Sequence, residues 1–292
     1  MYDVIVIGGG PAGVTAGIYI KRAGFNVLLF TNGKSAIKKS DKIENYYGFE
    51  NPIEGKMLYE NGIKQAKNLG IEIVEKEVIG LKYSETDYNK YEVVIANQGK
   101  DEKYEVPVVV LATGANRFTP NIQGIKEFEG KGVSYCAVCD GAFYRDKDIA
   151  VLGSGEYAVG EIQELLPIAN NVTMLTNGDK PIENRNGINI DERKIKQVRG
   201  NEKVELVEFE DGTTQSIDGL FIAQGTASSI DFARKIGAKI ENNVIVVNEN
   251  METTVKGIFA CGDCTGGILQ ISKAVCDGTK AGLAIIKQLR NS

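Results

Sequence analysis

At 292 residues the chain is long enough for one large or two ordinary domains, and 42% hydrophobic with 25% charged residues is a normal globular balance. A net charge of -5 and a pI near 5.2 argue against nucleic acid or an anionic membrane as the main partner, since both need a dominant basic face. Histidine is absent, which removes His-dependent hydrolytic triads and histidine metal sites and leaves proton transfer to Asp, Glu, Cys, Lys or Tyr.

The chain opens on Met1-Tyr2-Asp3 with no basic leader and no apolar run long enough to span a bilayer, so a cytoplasmic, membrane-free protein is expected. Val4-Ile5-Val6-Ile7 reads as a strand buried on both faces, and Gly8-Gly9-Gly10-Pro11-Ala12-Gly13 follows it directly. A helix is predicted from there to about Arg22, stopped by Gly24, and Asn26 to Phe30 supplies the next strand. The whole is a βαβ unit of the dinucleotide-binding kind, in which the glycines let backbone amides approach a pyrophosphate at the positive end of the helix. An acid about twenty residues on, expected for a ribose hydroxyl, is missing near Phe30 to Asn32, so ribose contact must come from elsewhere. Lys34, Lys38, Lys39 and Lys42 cluster next, a run read as a solvated loop before a docking surface.

Val108 to Leu111 is another buried strand, ending at Ala112-Thr113-Gly114 and followed by a linker containing Pro120. A second nucleotide-type unit starts at Asp148 and turns through Gly153-Ser154-Gly155 into a helix toward Ala169. After its next strand, Val172 to Leu175, comes Thr176-Asn177-Gly178-Asp179-Lys180-Pro181, with no arginine pair for a 2′-phosphate. Ile188 follows after only about a dozen residues rich in Gly, Pro and Asn, so one helix of this half is expected to be missing or reduced. Tyr157 is read as a further obstacle at that helix N-terminus, where Glu156 could satisfy the amides internally. Gly257 to Asp263 is again strand then turn, and Ile271 to Leu289 reads as an amphipathic closing helix. The resulting fold class is α/β, two Rossmann-like three-layer domains, one discontinuous over 1–115 and 246–292 and the other over 116–245.

The chemistry sits at Cys136-Ala-Val-Cys139-Asp140. A vicinal thiol pair lowers the pKa of its attacking member and closes a reducible disulfide, and a neighbouring carboxylate can move a proton as the thiolate forms. A zinc half-site and two plain buried thiols remain alternatives for such a pair. A second pair, Cys261-Gly-Asp-Cys264, leaves open a four-thiolate metal site in a metal-binding or sensory protein. Cys261, Cys264 and Cys276 are most simply read as small apolar fillers, and Tyr46, Tyr47 and Phe49 as a core aromatic cluster in preference to a cofactor contact.

Over nearly its whole length the chain resembles the low-molecular-weight thioredoxin reductases. The resemblance rests on Gly8 to Gly13, Ile43-Glu44-Asn45-Tyr46, Ala112-Thr113-Gly114, Cys136 to Gly141, and Gly262-Asp263. It implies FAD held by the discontinuous domain through Gly8, Gly10, Pro11, Ala12, Gly13, Asn45, Thr113, Gly114 and Gly262, with Asp263 on the ribityl chain and Gln270 near the isoalloxazine. It further implies that Cys139 faces the flavin, Cys136 attacks the substrate disulfide, Asp140 is the acid/base, thioredoxin is the substrate, and the enzyme is a homodimer without a metal. Where NADPH users of the family carry His-Arg-Arg, this chain has Thr176-Asn177-Gly178, and Lys34 to Ile37 and Leu269 depart near the flavin too. These departures resemble the pyridine-nucleotide-independent branch, whose donor is reduced ferredoxin. A nicotinamide-dependent reductase with an unusual cofactor site, and a flavin dithiol oxidase using oxygen, stay open as alternatives.

Overall fold

Four apolar residues in a row suit only a strand covered on both faces, and β1 (Val4–Ile7) is that strand, at most 3% exposed. The structure is a computed structural model and describes residues 2–97, 101–114, 120–182 and 188–291. Two units form, Met1–Asn116 with Ser228–Ser292, and Arg117–Ala227.

The first unit starts with β1, α1 (Pro11–Arg22) and β2 (Val27–Thr31). Gly24, at φ 96°, supplies the left-handed residue that ends the helix, as expected. Next come α2 (Gly55–Asn68), β3 (Glu72–Glu75), an antiparallel meander of β4 (Val78–Tyr83), β5 (Tyr91–Ile95) and β6 (Glu102–Val106), then β7 (Val108–Leu111). The chain crosses to the second unit and forms β8 (Val133–Ser134), α3 (Ala137–Asp140), β9 (Asp148–Leu152), α4 (Glu156–Leu165), β10 (Asn171–Leu175) and β11 (Asn189–Asp191). A second meander, β12 (Ile195–Gly200), β13 (Val204–Phe209) and β14 (Thr214–Ser216), precedes β15 (Gly219–Ile222). Back in the first unit are α5 (Ser229–Lys235), the small hairpin β16 (Ile240–Glu241) and β17 (Val244–Ile245), β18 (Ile258–Ala260) and α6 (Ile271–Arg290).

Each unit has an all-parallel five-stranded sheet, ordered β18-β7-β1-β2-β3 in the first and β11-β10-β9-β15-β8 in the second. In the first, Val4, Val6, Leu29 and Val110 face α1 and α6, and Phe30, on the other face of β2, meets Tyr104 of the meander edge to face. In the second, Ala150, Leu152, Leu175 and Leu220 pack on the meander through Val207 and Phe209, while α4 packs on β9 and β10. Helix, parallel sheet and antiparallel meander thus make three layers in each unit.

The two sheets differ at one crossover. Between β2 and β3 lies α2, but between β10 and β11 the described residues hold only a turn, in line with the reduced helix read from the sequence. The return to the first unit comes at Ser228 and not at 246, because 228–245 has partners there. Ser228 and Asp231 form a reciprocal capping box that starts α5, and α5 packs on β4 and β7.

Candidate active site

Parallel strands gather their C-terminal ends along one edge, which is where the first unit collects its expected residues. Gly8 follows β1 at φ 122°, and a Cβ there would lie 2.2 Å from the carbonyl oxygen of Ala112. A Cβ on Gly13 would lie 2.0 Å from the Gly8 carbonyl, and one on Gly262 would lie 2.9 Å from Cβ of Ala12. The turn after β1, the Ala112-Thr113-Gly114 end of β7 and the Gly262-Asp263 turn after β18 are therefore in direct contact, on three neighbouring strands. Helix α1 starts at Gly10 with Pro11 in its first turn, no side-chain cap and no acid there, so its leading amides are free of a competing carboxylate. Asn45 Nδ2 donates to Gln270 Oε1 at 3.2 Å, joining the loop before α2 to the start of α6.

In the second unit Cys136 and Cys139 form a disulfide at the start of α3. Cys136 is fully buried. Asp140 ends the same turn, and its Oδ2 accepts a 2.6 Å hydrogen bond from Ser134 Oγ. Ala137 N donates to Glu161 Oε2 at 2.7 Å, and Glu161, on α4, is only 1% exposed.

The sequence pattern of the pyridine nucleotide-disulphide oxidoreductase family matches residues 2–278. Thioredoxin reductase of Aquifex aeolicus (strain VF5) is 35% identical over 308 residues, covering 99% of this chain and 94% of that protein. Among solved structures, the atypical thioredoxin reductase TRi from Desulfovibrio vulgaris Hildenborough matches with a TM-score of 0.93 at 35% identity, covering 100% of this chain and 99% of that one. A ferredoxin-flavin thioredoxin reductase from Clostridium acetobutylicum matches at 0.73 with 28% identity, covering 100% and 99%. The chain belongs to the low-molecular-weight thioredoxin reductase family.

Thioredoxin reductases are FAD flavoproteins, FAD is the cofactor here, and the first unit fits it. Gly10 leaves the approach to the helix start open, the nearest atom to a Cβ there being Ser35 Oγ at 3.6 Å. Among the described residues, no atom lies within 4 Å of where a Cβ on Gly114, at φ 86°, would stand. The acid missing after β2 has a neighbour in its place: Glu75, at the end of β3, brings Oε1 within 2.4 Å of where a Cβ on Gly33 would stand.

In the second unit of this reductase the tip of β10 is committed to the fold. Thr176 is fully buried, and Asn177 at φ 55° accepts from Ile195 N through Oδ1 at 2.7 Å. Arg193, the nearest described arginine in sequence, bonds Asp191 and stacks 3.8 Å above the Phe209 ring; Arg185 lies outside the described residues. Tyr157 is buried at 3% exposure, so it belongs to the packed side of α4 and is no exposed obstacle; the feature there that opposes an anion is the acid Glu156 in the first turn.

Three groups escaped the sequence reading. One is Ser229, which exchanges hydrogen bonds with the expected Thr113, Thr113 N to Ser229 Oγ at 3.0 Å and Ser229 N to Thr113 Oγ1 at 2.6 Å. Lys273 and the buried Asp277 pair at 2.8 Å, and Asp277 Oδ2 accepts from Gly262 N at 3.2 Å. The i,i+4 spacing of Lys273 and Asp277 was the available signal; for Ser229 only the capping pattern before it was. Ser134 had no sequence signal beyond its nearness to the thiol pair.

Two further sequence expectations are corrected. Tyr47 is 98% exposed and Phe49 is exposed, so with Tyr46 they form a surface cluster and not core, because they ride the loop between the isolated bridge partners Ile43 and Ile53. Cys276 lies exposed on α6 and fills nothing. Cys261 and Cys264 are buried as expected, and burial pushes the Cys264 thiol up to about 12 and that of Cys261 well above its ordinary value.

Proposed function

We propose that this thioredoxin reductase reduces thioredoxin through FAD and the Cys136–Cys139 pair with electrons from reduced ferredoxin and not from a nicotinamide. The tip of β10 carries that reading: where a 2′-phosphate would be clamped stand Thr176, a fully buried neutral side chain, and Asn177, whose Oδ1 is engaged by Ile195 N, and neither supplies a positive charge. Support also comes from the likeness to the ferredoxin-flavin thioredoxin reductase of Clostridium acetobutylicum.

In this reading Gly8, Gly10, Pro11, Ala12 and Gly13 would hold the diphosphate of FAD, Gly262 and Asp263 its ribityl chain, and Thr113, Gly114, Asn45 and Gln270 its remaining edge. Bound FAD would take electrons singly and pass them on in pairs. Cys139 would receive them and Cys136 would attack the substrate disulfide, with Asp140 carrying the proton. The pair must meet both flavin and a protein disulfide, a demand we assign to a turn of one unit about the two chain crossings.

The downhill drop suffices. Plant-type ferredoxins lie near about -400 mV and thioredoxin near about -270 mV, so two electrons release roughly 6 kcal/mol.

One observation favours a nicotinamide donor. The Gly153 turn is as tight as that at Gly8, a Cβ there lying 2.3 Å from the Ala223 carbonyl, so a nucleotide turn persists in the second unit. The test is anaerobic. Excess NADPH or NADH should leave the flavin oxidised, whereas reduced ferredoxin should bleach it and support thioredoxin reduction. Rapid bleaching by either nicotinamide would overturn the donor assignment. Peroxide release with a small dithiol, without thioredoxin turnover, would identify an oxidase instead.

A further inference from the structure

The hydrogen bonds around the disulfide end in one hydroxyl. Ser134, the last residue of β8, is 5% exposed, and its Oγ lies 2.6 Å from Asp140 Oδ2 and 3.2 Å from the backbone nitrogen of Cys136. A hydroxyl has one proton and two lone pairs. The Cys136 N–H can only donate, so it takes a lone pair of Ser134, and the Ser134 proton goes to Asp140 Oδ2.

The carboxylate is thereby tied to the backbone of the attacking cysteine through a single oxygen atom. A proton arriving on Asp140 belongs on Oδ1, the oxygen that Ser134 does not bond. The turn itself is held from the far side, where buried Glu161 accepts from Ala137 N at 2.7 Å. Backbone bonds within the turn add Asp140 N to Cys136 O at 3.1 Å and Cys139 N to Cys136 Sγ at 3.2 Å. The Asp140 backbone is therefore fixed within the turn, and the hydrogen bond from Ser134 is what holds its carboxylate.

We propose that Ser134 is the positioning residue for proton transfer at the Cys136–Cys139 pair: it holds the Cys136 backbone and aims Asp140, and its effect on proton transfer runs through Asp140. The inference rests on the disulfide-reductase reading, not on the donor. In the step concerned, the Cys136 thiol passes its proton to Asp140, and the thiolate attacks one sulfur of the substrate disulfide. The substrate S–S bond breaks, a mixed disulfide forms, and the leaving sulfur takes the proton from Asp140. Cys139 sulfur then attacks Cys136 sulfur, closing the Cys136–Cys139 bond, and its proton goes to the second leaving sulfur. Two electrons and two protons pass from the cysteine pair to the substrate.

The test omits ferredoxin and thioredoxin. FAD-loaded protein is reduced with dithiothreitol, desalted anaerobically and mixed with oxidised glutathione. Closure of the Cys136–Cys139 bond is timed by rapid alkylation and peptide mass. Ser134→Ala should close about tenfold more slowly, Ser134→Thr should recover most of the parent rate, and Ser134→Ala with Asp140→Asn should be no slower than Asp140→Asn alone. A Ser134→Ala rate equal to the parent, a failure of threonine to rescue, or slowing that multiplies in the double variant would overturn the proposal. A parent protein that never closes its disulfide would overturn the reductase reading with it, so the two failures are distinguishable.

Discussion

Asp277 offers the sharpest test of how the Gly262-Asp263 turn is held. Its Oδ2 takes Gly262 N–H at 3.2 Å and Lys273 Nζ at 2.8 Å, and Lys273 also reaches Gly262 O at 2.8 Å and Thr265 Oγ1 at 3.0 Å. Asp277→Ala strands the buried Gly262 N–H, which costs about 1–3 kcal/mol. The Lys273 side chain is 23% exposed and keeps its two other acceptors, so the lost ion pair adds only roughly 0.5–1 kcal/mol. The sum, about 3 kcal/mol, should lower the melting temperature by roughly 6–12 °C for a domain of this size. Asp277→Asn keeps an oxygen for Gly262 N–H and loses only the charge, so it should cost about 1 kcal/mol, or roughly 2–4 °C.

Calorimetry on the FAD-free protein measures this without the cofactor. FAD titration followed by flavin fluorescence should show the weaker binding of the alanine variant, because the turn beside Ala12 is loosened. If alanine melts no lower than asparagine, the Gly262 N–H is not what Asp277 serves, and the reasoning fails.

Burial and charge make two further predictions. In the native oxidised protein an alkylating reagent near neutral pH should modify Cys276 alone, with Cys261 and Cys264 reacting only after denaturation, as their thiols are buried and held protonated by burial; modification of Cys264 in the native state, seen by peptide mass, would contradict this. Glu208 is held down to about 2, first by its hydrogen bond from Lys196 and then by that from Gln197. Its folded value is depressed below 4.5, so its contribution is present above that pH and lost as pH falls toward 2; Glu208→Gln should flatten the acid side of the stability curve in urea titrations across that window.

Local pattern was enough for much of this protein. An unbroken apolar run suits a strand sheltered on both faces, and the glycine turn that joins it to a helix and a second strand marks a βαβ unit, so β1, α1 and β2 could be written down from residues 4–31. The thiol pair likewise declares itself because its chemistry depends on neighbours in sequence, and the short connection after β10 pointed to a missing or reduced helix, in line with the turn that its described residues form. The closing helix was legible from its apolar periodicity.

What the fold alone decided depends on residues far apart in the chain. Thr113 meets Ser229 across 116 positions, and Asn45 meets Gln270 across 225, contacts that no local pattern encodes. The aromatic residues Tyr46, Tyr47 and Phe49 are apolar enough for a core, and only their place on a loop beyond the bridge of Ile43 and Ile53 put them in solvent. The early return at Ser228 was decided the same way, because a capping box can start a helix anywhere, and it is packing on β4 and β7 that fixes which unit owns it.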